Sequence, residues 1–144
     1  MTESNLTYRF HPVPKHRFFW VEFFGEFDLD KLALAYGEFI SHPDYFEGID
    51  ELLDFSGASV KELTVEAIAR IRAFTEARPE QHHNRSVLVV NPGLEFQLAK
   101  TLGTVLEKTV PVDRHVCYSV REAIEWLRPE QATEIIASLM PGET

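Results

Sequence analysis

Apolar and polar positions alternate along this chain in two rhythms, one of strands and one of helices. Leu6 to Val13 (L-T-Y-R-F-H-P-V) alternates weakly and ends at Pro12 and Pro14, the pattern of an edge strand. Phe18 to Phe24 (F-F-W-V-E-F-F) is the strongest strand signal, and the short Pro14-Lys15-His16 connection predicts an antiparallel hairpin. Gly25-Glu26-Phe27-Asp28 ends the second strand and opens a helix. Asp28 is its N-cap, and Asp30 sits in the first turn, where the helix dipole favours a carboxylate. Leu29, Leu32, Ala33, Tyr36 and Ile40 recur at helical spacing as one apolar stripe, and Ser41-His42-Pro43 stops the helix. Tyr45 and Phe46, in the loop beyond, close over the core.

Glu51 to Phe55 reads as a short buried strand that emerges at Asp54 and turns through Ser56-Gly57. Thr64 then caps a helix to about Ala77, with Ile68, Ile71 and Phe74 turned inward, and a polar loop with His82-His83 follows. Ser86 to Val90 (S-V-L-V-V) is a continuous apolar run, as in a central strand covered on both faces. Asn91-Pro92-Gly93 turns into a helix from Leu94 to about Leu106, striped by Leu94, Leu98, Leu102 and Val105. Val112 to Tyr118 is the last strand. Ser119-Val-Arg-Glu122 matches a capping box for a short helix with Val120, Ile124 and Leu127 inward and Trp126 beside them. Arg128-Pro129-Glu130 starts a last helix, whose stripe of Ala132, Ile135, Ile136 and Leu139 packs on the domain or on a second copy of it. Alternation after an opening hairpin predicts an α/β sandwich: a mixed, mostly parallel five-stranded sheet with helices packed on it. One domain over 1–144 is expected, with a core of about 6–128 and a C-terminal helix of about 130–140.

Composition adds exclusions. The chain's 144 residues, 44% hydrophobic and 26% charged, are those of an ordinary globular domain. The opening M-T-E-S-N is no signal peptide, and Phe18–Phe24 is too short to span a bilayer. The lone Cys117 forms no internal disulfide and fits a cytoplasmic location. A net charge of −9 argues against nucleic acid as a partner. Between Glu26 and Glu66 the only bases are Lys31 and Lys61, so that region holds essentially all of the net charge. It reads as a solvated acidic face, or as a docking surface for a basic partner.

Catalytic signatures are missing from the sequence: no G-x-S-x-G, no H-E-x-x-H, no Cys/His metal spacing and no glycine-rich phosphate loop. Cys117, between Val116 and Tyr118, reads as a packed thiol. His11, Lys15, His16 and Arg17 gather at the hairpin tip and read as solvated rather than anion-binding. His82-His83, lacking further ligands nearby, reads as exposed loop rather than a metal site. Ligands of α/β folds collect beyond the carboxyl ends of parallel strands. The candidates there are Asp54, Ser56 and Gly57 after one strand, Asn91 and Gly93 after the next, and Tyr118 and Ser119 after the last. Against this, Asp54 and Ser56 have no histidine for a triad and suit a turn that satisfies its own N–H groups. The Asn91–Gly93 turn is an anion site only as a second reading.

Three segments resemble the SpoIIAA-like group, relatives of the STAS domain of anti-sigma-factor antagonists. V-E-F-F-G-E-F-D-L-D (21–30) is similar to that family's strand, Gly-Glu-aliphatic-Asp turn and first helix. L-L-D-F-S-G-A-S-V (52–60) is similar to its strand ending in Asp-aliphatic-Ser-Gly, and H-V-C-Y-S-V-R-E-A-I-E-W-L (115–127) to its terminal strand and helix. The resemblance, over roughly Leu6 to Arg128, implies the STAS/SpoIIAA-like α/β sandwich. It also implies a switch serine at the start of the helix after the second segment. That position is Leu63 here; Thr64, one place on, joins the binding candidates but is better explained as a helix cap. The expected function is a non-enzymatic regulatory or protein-interaction module without the serine switch, without cofactor or metal, acting on a protein partner or as a homodimer. Its contact surfaces would be the acidic 26–66 region and the last helix. The alternative is a binder of small apolar ligands or lipids, with eleven Phe and two Trp available to line a pocket.

Overall fold

A computed structural model describes residues 6–59, 66, 69, 70, 73, 85–93, 100 and 113–143. Strand β1 (Thr7–Val13) and strand β2 (Phe18–Glu26) are followed by helix α1 (Leu29–Ile40) and strand β3 (Asp50–Ser59). Strands β4 (Arg85–Val89) and β5 (Asp113–Cys117) and helices α2 (Val120–Leu127) and α3 (Ala132–Leu139) complete the described elements. The helices expected over 64–77 and 94–106 fall largely outside the described residues; Glu66, Ala69, Arg70, Ala73 and Lys100 are helical.

The strands lie in chain order, β1-β2-β3-β4-β5. The first pair is antiparallel and the other three are parallel. A three-residue turn suffices for the first connection, whereas a parallel return needs a long crossover. The turn is a 3-10 segment, Pro14–His16, ending at Arg17 with φ 60° and ψ 38°. Arg17 holds that left-handed conformation with its guanidinium 4.7 Å from the Phe46 ring centroid.

Alternation in β2 divides the core. Phe18 and Trp20 point to one face with Leu52, Val87, Val89 and Cys117, and α2 and α3 cover that face with Ala123, Ile124, Leu127, Ala132, Ile135 and Ile136. Phe19, Val21 and Phe23 point to the other, with Leu53 and Ala58, against Leu32, Ala35 and Phe39 of α1. Leu32, Tyr36 and Ile40 of the expected α1 stripe face this core, with Ala35 and Phe39 joining them in place of Ala33, and Phe39 packs edge-on to Phe19 at 4.8 Å. Asp28 caps α1 as expected, its Oδ1 accepting the N–H groups of Asp30 at 2.8 Å and Lys31 at 3.1 Å.

Two boundaries differ from the sequence reading. The last helix starts at Ala132, not at Pro129; residues 129–131 form a turn in which Gln131 N–H donates to the Arg128 carbonyl at 3.1 Å. Its apolar stripe lies in the chain's own core. The third strand does not turn at Ser56-Gly57 but runs on to Ser59 through a bulge. Glu22 pairs with Asp54, yet Phe24 pairs with Gly57, so β3 takes three residues where β2 takes two. A Cβ on Gly57 would stand 2.7 Å from the Phe24 ring and 3.1 Å from the Phe23 carbonyl, which is why glycine follows the bulge.

The acidic region is only partly a surface. Glu51 and Asp54 are buried, and Glu51 Oε1 accepts from the hydroxyls of Ser86 at 3.0 Å and Tyr36 at 3.2 Å. Asp50 accepts the Arg85 backbone N–H at 2.8 Å and faces the Arg128 guanidinium at 2.9 Å. That guanidinium also donates to the carbonyls of His16 at 2.9 Å, Arg17 at 3.1 Å and Leu127 at 2.8 Å. One side chain thus joins the hairpin turn, the start of β3 and the end of α2.

Candidate functional site

The parallel register brings the carboxyl ends of β3, β4 and β5 together, and most of the candidate residues with them. Asp54, 5% exposed, lies beside Val89 of β4, and Val89 lies beside Cys117 of β5. The Asp54 carboxylate is held within its own bulge. Its Oδ1 accepts the Ser56 hydroxyl at 2.6 Å and the Ser56 backbone N–H at 3.0 Å. Asn91, just past β4, donates its side-chain amide to the Ser56 carbonyl at 3.0 Å. The bulge leaves that carbonyl out of the regular ladder, and the amide occupies it.

Ser119 is the N-cap of α2 and accepts the Glu122 N–H at 3.1 Å. The Glu122 carboxylate lies 3.4 Å from the Ser119 hydroxyl and places a negative charge at this helix start. An anion there would meet like charge. Gly93, at φ 99°, is an exposed turn residue, and Tyr118 is 48% exposed beyond β5. Thr64, Leu63 and His82-His83 lie outside the described residues.

Cys117 is 3% exposed, and burial pushes its thiol up to about 11, with the Glu122 and Asp54 charges adding to the rise and a backbone contact with Ser119 opposing it. Its Sγ donates to the Ser119 carbonyl at 3.4 Å. A protonated, enclosed thiol is a poor nucleophile at neutral pH.

Sequence reasoning did not reach the second half of this neighbourhood. Glu22 of β2 is the register partner of Asp54 and bonds His11 of β1. The His11 ring leans on Trp20, with centroids 4.4 Å apart. Trp20 is buried, and its indole N–H has no acceptor among the described residues. The two carboxylates turn apart, Glu22 toward β1 and Asp54 along its own strand. The only available signal was the strand alternation of β1 and β2, which gives faces but not the register between them. At the hairpin tip the basic residues are dispersed: Lys15 pairs with Glu134 at 3.1 Å, and Arg17 covers Phe46.

Among the described residues, no group of three or more His, Cys, Asp or Glu could hold a metal ion. No helix among them is long and apolar enough to cross a membrane. An apolar recess between α1 and the hairpin, lined by Phe10, Val21, Phe23, Ala35, Tyr36, Phe39 and Leu53, has a volume of about 10 Å3. That is room for one water molecule.

No family model matches the chain, and no curated protein matches it. Among solved structures it is similar to an uncharacterised protein of the DUF3478 family with a SpoIIAA-like fold, from Shewanella loihica PV-4. The TM-score is 0.57 at 11% identity, over 88% of this chain and 97% of that one. The chain has a SpoIIAA-like α/β fold, as the three sequence segments implied.

Proposed function

We propose that this chain is a non-enzymatic regulatory or protein-interaction module, cytoplasmic and independent of a phospho-acceptor serine. One observation carries the reading: the polar groups at the strand ends are engaged with one another. Asp54 holds Ser56, Asn91 holds the Ser56 carbonyl, and Ser119 caps α2. Cys117 remains a buried thiol, so among the described residues at the strand ends neither a nucleophile nor a paired general base is presented. The last helix gives its apolar stripe to the core, so of the described surfaces we place the contact on the outer face of α1. There Leu34 is 55% exposed, with Asp30 and Glu38 one turn away on either side. Asp30 is paired with Arg70 at 3.1 Å and Glu38 accepts from the Tyr8 hydroxyl, so the exposed Leu34 rather than net charge marks the contact, with a protein partner or a second copy of this chain.

Analytical ultracentrifugation over a wide concentration range, with chemical cross-linking in cells, tests the proposal. A cross-linked complex that is lost in Leu34→Asp, at unchanged stability, is the expected result. A single monomer mass at every concentration together with no cross-linked partner sinks it. So does a catalytic activity that disappears in Asp54→Asn without loss of folding.

A further inference from the structure

We draw no further inference here: the strongest candidate, the His11–Glu22–Asp54 side-chain row beside the buried indole N–H of Trp20 on the sheet face under α2 and α3, carries nothing because His11 and Glu22 are each other's partners, Asp54 is held by Ser56, and nothing in the structure shows a ligand group or a space that the indole faces.

Discussion

Replacing Arg128 by methionine keeps most of the aliphatic stem and removes the guanidinium. Three carbonyls, those of His16, Arg17 and Leu127, lose a charged donor at 2.8 to 3.1 Å, and Asp50 loses its cation at 2.9 Å. Breaking a fully buried pair costs about 3–5 kcal/mol. Here the two side chains are 19% and 14% exposed, so water reaches part of the pair, and Asp50 keeps the Arg85 N–H. The loss expected for Arg128→Met is therefore about 3 kcal/mol, or a fall in Tm of roughly 6–12 °C for a chain of this size. Urea denaturation followed by circular dichroism reads it as a lower midpoint at unchanged slope. The control is Lys15→Ala, whose partner Glu134 is 62% exposed while Lys15 itself is 77% exposed; that pair contributes less than about 0.5 kcal/mol. Asp50→Asn in the Arg128→Met background should add little, since the two share one interaction. A change below about 0.5 kcal/mol in Arg128→Met would refute the clamp.

Gly57→Ala should cost about 1–3 kcal/mol, because the new methyl meets the Phe24 ring and the Phe23 carbonyl; wild-type stability would show that the bulge gives way. Burial pushes the Cys117 thiol from its ordinary 9.0 up to about 11, so the folded chain holds the proton longer. Its stabilisation is fully present below about pH 9 and is lost as pH rises toward 11, a decline of up to about 3 kcal/mol. Because Tyr8 is also raised, to about 12, by burial and by Glu38, the comparison is with Cys117→Ala, whose stability should fall less over that window; parallel pH profiles would count against the assignment. Trp20→Phe removes a buried donor that has no acceptor among the described residues, so the relieved desolvation, about 1–3 kcal/mol, offsets much of the lost ring area. A net loss above about 3 kcal/mol on denaturation would mean that the indole N–H is satisfied by water.

Features that depend on neighbours in the chain were legible in the sequence. Asp28 caps α1 because its carboxylate needs to reach only the next two or three N–H groups, and the 18–24 run forms a strand because its aromatics alternate between two cores. The order of strands and helices followed from the same local rhythms. What escaped depends on distant residues. Ser56-Gly57 carries turn chemistry, yet β2 on one side and Asn91 on the other keep it in the sheet as a bulge. Asp50, Glu51 and Asp54 contribute to the acidic count of the 26–66 region, but Arg128, Tyr36, Ser86 and Ser56 draw them inside, and these partners are distant in the chain for all but Asp54. Pro129 marked a helix start, but the helix begins three residues later, at Ala132, after a turn. Of the candidate site, Asp54, Ser56, Asn91 and Ser119 were placed at the strand ends by fold logic alone. His11, Trp20 and Glu22 joined them only through strand register.

Because the strands lie side by side in the order of synthesis, the sheet can grow in one direction as the chain leaves the ribosome, each new strand adding to the edge of the last. No strand has to wait for a later one to be inserted beside it. The exception is Arg128, which reaches back to residues 16, 17 and 50 and closes only after β5 and α2 have emerged. Until then Val13, Phe18 and Trp20 lack the cover of α2 and α3. A contact between parts of the chain this far apart is expected to close after the folding barrier. Its loss in Arg128→Met should speed unfolding while leaving the folding rate almost unchanged, making this arginine a governor of the folded state's lifetime.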